Sequence, residues 1–243
     1  MAARAEFLDR IKREVAKTPG LFPATPAPRP ANPAEAAEIV RRQIAERWPQ
    51  ALERFREEFE RVAGVFHRVG SLAEVPNVVR GIAKEKGVSE IVCWDRAPLG
   101  LDLRPSLGAE GLTVTVAEAG QESDEARVRH RAEAARAGIG VTGCDFALAE
   151  TGTLILLSGS GRPRSTSLLP DTHVAVFDRT RLLESLEQVG IMLEALHADP
   201  ARSMSGAMIT FITGPSRTAD IELTLTRGVH GPKEVHAIFV ERP

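Results

Sequence analysis

The apolar positions of this chain change rhythm at Gly64. Before it they fall at helical spacing. Phe7, Leu8, Ile11 and Val15 in a charged background predict a short amphipathic helix from about Ala3 to Lys17. Six prolines from Pro19 to Pro33 then exclude regular structure and favour an extended linker. Asn32 supplies an N-cap, Pro33 the first helical position and Glu35 a capping-box partner, so a second helix starts there. Its stripe of Ile39, Val40, Ile44, Trp48, Leu52, Phe55, Phe59 and Val62 runs to about Ala63, with a kink or restart expected at Pro49. The stripe reads as packing surface, against the core or against a second copy of the chain.

After Gly64, short β-branched runs alternate with helical stretches. Strands are predicted over Val65–Val69, Ser89–Trp94, Leu112–Ala117, Phe146–Ala149, Thr153–Ser158, His173–Asp178, Met208–Thr213 and Val235–Val240. Helices are predicted over Val75–Lys86, Ser123–Ala137, Arg181–His197 and Ser216–Arg227. The alternation argues for an α/β fold, a largely parallel sheet with helices on both faces. The expected organisation is an N-terminal helical arm over 1–63, with its Pro-rich linker at 19–33, and an α/β domain over 64–243.

Composition narrows the function classes. A chain of 243 residues can bury one sizeable core plus an arm. Its net charge of −2, with both signs interspersed, makes no field for nucleic acid, and 5% aromatics with no Tyr leave few stacking platforms. Cys93 and Cys144 are too few for an iron–sulfur cluster or a disulfide scaffold and suit a reducing compartment. Arg4, Glu6, Asp9 and Arg10 argue against a signal peptide, and no run approaches the ~18 apolar residues of a membrane span. A soluble cytoplasmic protein is expected. No GxGxxG loop is present, and His67, His130, His173, His197 and His236 show no metal-ligand spacing.

Three places carry candidate chemistry. The run Met208–Thr213 breaks at Gly214-Pro215-Ser216-Arg217 and resumes with helical patterning, so Ser216, Arg217, Thr218 and Asp220 would occupy the first turn of a helix, where unpaired N–H groups favour an anion. Asp220 there would also simply stabilise the helix dipole. The loop Gly159–Ser167 follows another strand, and its Arg162, Arg164 and Ser165 could join Gly214 and Arg217 around a phosphate or carboxylate. His230, in Gly228-Val229-His230-Gly231-Pro232, could face the same pocket or make one backbone hydrogen bond. Glu150 stands between apolar runs and before Thr151-Gly152, as a candidate nucleophile, ligand contact or structural carboxylate held by turn N–H groups.

The step Glu150-Thr151-Gly152-Thr153, the step Ser167-Leu168-Leu169-Pro170 leading to Thr172-His173, and Gly214-Pro215-Ser216-Arg217-Thr218-Ala219-Asp220-Ile221-Glu222 followed by Gly228–Pro232 agree in order and spacing with one family. From about Gly64 to Val240 the chain resembles the lactate utilization protein C family, whose domain is the LUD domain. The resemblance implies a fold related to the sugar-phosphate isomerases and CoA transferases. It implies a role in oxidation of L-lactate to pyruvate beside iron–sulfur partner proteins, with no cofactor in this chain. The alternative is a stand-alone CoA-transferase- or isomerase-like enzyme acting on a small carboxylate or sugar phosphate through Glu150, because a glutamate followed closely by glycine is the nucleophile of the related CoA transferases.

Overall fold

A computed structural model describes residues 2–15, 17, 29–120, 123–199, 208–219 and 225–242. The chain divides into two compact units, 1–32 and 33–243. In the first, helix α1 (Ala2–Val15) leaves Phe7, Leu8, Ile11 and Val15 exposed.

The second unit is built on a parallel sheet. In chain order it contains α2 (Pro33–Arg61), β1 (Val65–Ser71), α3 (Val75–Lys86), β2 (Glu90–Trp94), the short α4 (Arg96–Leu99) and α5 (Arg104–Gly108), and β3 (Thr113–Ala117). Next come α6 (Asp124–Arg136), β4 (Ile139–Gly143), β5 (Phe146–Leu148), β6 (Thr153–Leu157), α7 (Ser165–Leu168), β7 (Thr172–Asp178), β8 (Leu182–Leu183) and α8 (Leu186–Ala198). Strands β9 (Ile209–Ile212), β10 (Arg217–Ala219), β11 (Leu225–Arg227) and β12 (Glu234–Arg242) complete it. The six-stranded sheet has the order β1-β12-β7-β4-β2-β3, and every neighbouring pair is parallel. A four-stranded sheet, β8-β5-β6-β9, lies apart from it. The α/β expectation with a largely parallel sheet therefore holds.

Strand alternation sorts side chains to the two faces of the large sheet. On one face Val174, Val176, Ile238 and Val240 pack with Val75, Val79 and Ile82 of α3, Leu107 of α5 and Leu103 just before it. On the other, Ala175, Phe177, Ala237 and Phe239 meet α2, α8 and the smaller sheet. The long helix that the sequence groups with the arm thus lies in the second unit. Phe55 and Phe59 of α2 are fully buried, and Phe55 meets Phe177 edge-on at 5.2 Å. Burying each such ring is worth roughly 1.5–3 kcal/mol. That packing explains why α2 runs unbroken through Pro49: one missing backbone hydrogen bond is outweighed by a stripe buried on both sides of it.

Three local expectations need correction. The strand β4 was absent from the expected set, although it sits in the middle of the sheet with all five residues buried. The helix expected from Arg181 starts only at Leu186, after strand β8. Among the described residues of the helix expected over 216–227 there are strands instead: β10 and β11 pair antiparallel, Thr218 opposite Thr226. Ser216, Arg217 and Thr218 therefore do not form a helix N-terminus. Asp220 lies outside the described residues.

Candidate functional site

Ligands of open parallel sheets gather beyond the carboxyl ends of the strands, where neighbouring strands lead away in opposite directions. Here β2 continues to β3 on one side, while β4 leads on to β7 on the other. The carboxyl ends of β2, β3 and β4 are crossed by the loop that follows β6. Gly161 sits so close that a Cβ on it would lie 2.7 Å from that of Asp95. Asp95 N–H donates to the Gly161 carbonyl at 2.9 Å, and Trp94 Nε1 donates to the Pro163 carbonyl at 3.2 Å. Arg162 reaches Asp145, just past β4, at 2.9 Å, and its guanidinium lies 5.8 Å from the centre of the Trp94 ring. Asp145 also accepts the Leu157 N–H at 2.7 Å. The Gly/Ser-rich stretch is thus fixed at several points.

Between this loop, the end of β3 and α6 lies a cavity of about 810 Å³. Five arginines line it, Arg127, Arg129 and Arg131 from α6 and Arg162 and Arg164 from the loop, against two glutamates, Glu118 and Glu133. Arg162 is committed to Asp145, Arg127 lies 3.5 Å from Asp124, and Glu118 accepts from Arg104. Among the described residues Arg129, Arg131 and Arg164 have no carboxylate partner. Ser158, Ser160 and Ser165 add hydroxyls, and Val116, Ala117, Leu168 and Leu169 add apolar surface. His130 is held by Thr166 Oγ1 at 3.2 Å, and burial moves its pKa down, so its imidazole is neutral at pH 7. Asp95 is held below the usual carboxylate range by hydrogen bonds from the Ala97 and Ala119 N–H groups.

Of the residues singled out from sequence, Arg162, Arg164 and Ser165 line this cavity. The others fall into separate neighbourhoods. Thr151 Oγ1 meets Thr153 Oγ1 at 2.7 Å, which meets Thr213 Oγ1 at 2.7 Å, so the Glu-Thr-Gly-Thr step and the strand before Gly214 are joined by hydroxyls. Gly152 and Gly214 both abut the end of α2: an added Cβ would lie 2.2 Å from Phe59 N and 2.6 Å from the Val62 carbonyl, respectively. Glu150 is exposed, and its carboxylate accepts the Leu186 N–H of the first turn of α8 at 2.9 Å. There it satisfies an otherwise unpaired donor at the positive end of the helix. Ser216 ties the Gly228–Pro232 turn down, taking the His230 N–H on its hydroxyl at 3.2 Å and donating its own N–H to Pro232 at 2.9 Å. None of Glu150, Gly152, Gly214, Ser216 or His230 is part of the cavity lining.

The three α6 arginines and His130 were not singled out from sequence, although the run Arg127-Val128-Arg129-His130-Arg131 is a concentration of basic residues that a charge scan detects. Cys93 and Cys144 are buried free thiols, and burial pushes the Cys93 pKa up to about 12. No helix among the described residues is long and apolar enough to cross a membrane.

A protein-family model described as the LUD domain matches residues 52–240. The lactate utilization protein C of Halalkalibacterium halodurans is 45% identical over 109 residues, 45% of this chain and 46% of that protein. The protein of the same name from Geobacillus sp. strain WCH70 is 33% identical over 178 residues, 69% of this chain and 68% of that one. The chain thus spans about half the length of the first of these relatives. A crystal structure of a DUF162 family protein from Deinococcus radiodurans is 24% identical, with a TM-score of 0.49, covering 79% of this chain and 98% of that one. With the family model spanning most of the chain and a relative one-third identical over two-thirds of its own length, this chain belongs to the LUD domain family.

Proposed function

We propose that this protein serves L-lactate utilization, as a subunit in the oxidation of L-lactate to pyruvate that works beside iron–sulfur partner proteins and binds a small anion itself. The family membership and the relatives called lactate utilization protein C support the process. Two buried cysteines are too few to hold an iron–sulfur cluster, which supports assigning the clusters to partner proteins. The anion reading rests on one observation: uncompensated arginines at the carboxyl edge of the sheet of a protein whose net charge is −2. Guanidinium groups there offer paired N–H donors that match a carboxylate or phosphate.

Calorimetric titration of L-lactate, pyruvate and phosphate into the full chain tests the binding. Arg164→Ala should weaken it about tenfold, since a hydrogen bond to a charged group is worth roughly 1.5–3 kcal/mol. If no anion binds at millimolar concentration, the cavity is not an anion site in this chain. The wider role is tested by deleting the gene and following growth on L-lactate, together with co-purification of iron–sulfur proteins with the tagged chain. Normal growth on L-lactate after deletion would exclude it.

A further inference from the structure

The cavity is far larger than a three-carbon acid needs. Lactate has six heavy atoms and displaces on the order of 100 Å³, a few waters' worth, whereas the space between α6 and the loop is about 810 Å³. Volumes of roughly 300–1,000 Å³ suit ligands of drug or nucleotide size. The lining is also divided chemically. Arg129, Arg131 and Arg164 supply charge from two walls, while Val116 and Leu168 offer aliphatic surface to an uncharged moiety. The wall that carries Arg164 is fixed by the Asp95, Trp94 and Asp145 contacts, so little ordering is needed when a ligand arrives.

Building on the anion-binding reading above, we propose that this cavity takes an organic phosphate of nucleotide size, with its phosphates held by Arg131 and Arg164 and its organic part against the aliphatic surface. Two phosphate groups answer arginines placed on two walls better than one carboxylate does. Among the described residues Arg129 and Arg131 on α6 and Arg164 on the loop have no carboxylate partner, so each wall has a guanidinium able to take phosphate oxygens. The lining holds no Phe, Trp or Tyr, and its one ring, the His130 imidazole, is tied to Thr166 Oγ1. The uncharged part is therefore recognised by shape and apolar contact, and base identity should matter less than phosphate number.

The test is titration of the full chain with ADP, AMP, pyrophosphate, inorganic phosphate and L-lactate at fixed ionic strength. ADP should bind at least tenfold more tightly than inorganic phosphate or lactate, and AMP should fall between. Arg131→Gln and Arg164→Gln should each weaken ADP about tenfold or more, and Arg56→Gln, on the far helix α2 and paired with Glu53, should leave it unchanged. Both cavity arginines are exposed, so the variants should fold, as circular dichroism will show. Phenylglyoxal labelling of the native protein gives a second readout: ADP should protect Arg131 and Arg164 and leave Arg56 labelled. If lactate or phosphate binds as tightly as ADP, the organic-phosphate assignment falls while anion binding stands. If nothing binds, both fall. If ADP binds but neither the substitutions nor the labelling respond at Arg131 and Arg164, the site lies elsewhere and the proposal is wrong.

Discussion

Replacing Gly152 by alanine asks whether the glycine of the Glu-Thr-Gly-Thr step serves chemistry or packing. Its φ of +59° lies in the left-handed region, which costs an L-residue roughly 1–2 kcal/mol. A Cβ there would also stand 2.2 Å from Phe59 N and 2.6 Å from the Glu58 carbonyl carbon, both backbone atoms of α2. Carbon contacts are comfortable only near about 3.5 Å, so the end of α2 would have to retreat by on the order of 1 Å, while Phe55 and Phe59 anchor that end in the core. Overpacking of this kind costs about 1–3 kcal/mol. Together the terms give a loss of roughly 2–5 kcal/mol, out of the ~5–15 kcal/mol that a domain has. Gly87→Ala is the control. Gly87 has a similar φ of +65° at the end of α3 but nothing within 4 Å of an added Cβ, so it carries only the conformational cost. Urea unfolding of the wild type and both variants, with m-values compared, isolates the clash. If Gly152→Ala loses no more than Gly87→Ala, the close approach of α2 does not constrain this position. A variant that kept full stability yet lost anion binding would reassign Gly152 to chemistry.

Glu150→Gln should cost about 0.3–1 kcal/mol, because the exposed amide keeps an acceptor for the Leu186 N–H but loses the negative charge at the start of α8; an acyl adduct on the native protein after incubation with acyl-CoA, seen by mass spectrometry and absent in the variant, would instead make Glu150 a nucleophile. His173 is fully buried with Thr142 Oγ1 2.9 Å from its Nε2, and burial, then the nearby His236, brings its pKa down to about 3. Because the unfolded chain takes up that proton near pH 6.5 and the folded chain does not, stability should fall as pH drops below about 6.5, by up to ~1.4 kcal/mol per unit. His67, His130 and His236, also shifted down by burial, act with the same sign. Urea unfolding at pH 7.5 and 5.0 should show a loss about 2 kcal/mol smaller in His173→Gln than in wild type, and equal losses would refute the assignment. A chain starting at Ala31 should keep the melting temperature of the full chain, since the apolar residues of α1 are exposed; an insoluble product, or one without a cooperative transition, would show that the arm belongs to the core.

The strands whose apolar residues are dense and β-branched were legible without coordinates, because a buried parallel strand needs little besides such a run: Thr153–Leu157 and Thr172–Asp178 are examples. The strand β4 was not, because Gly140, Thr142 and Gly143 dilute its pattern. Those residues answer to tertiary neighbours. A Cβ at Gly140 would lie 1.8 Å from the Thr166 carbonyl of α7, and Thr142 pairs with His173 across the sheet. The misread segment after Gly214 fails for a different reason. The Gly-Pro turn imitates a helix start, whereas Arg217–Ala219 pairs with Leu225–Arg227 across the chain, a partnership that a local reading does not show. The family motifs were readable as sequence, yet what they do depends on partners distant in the chain: Gly152 and Gly214 receive the end of α2, and Glu150 caps α8. The cavity itself shows the division most clearly. Arg162 and Arg164 were visible as charges in a loop, but Arg129 and Arg131 join them only because the sheet order places β3 beside β2 and returns the chain through α6. Local composition fixes which residues carry charge; strand order, set by burial of the whole sheet, decides which charges share one space.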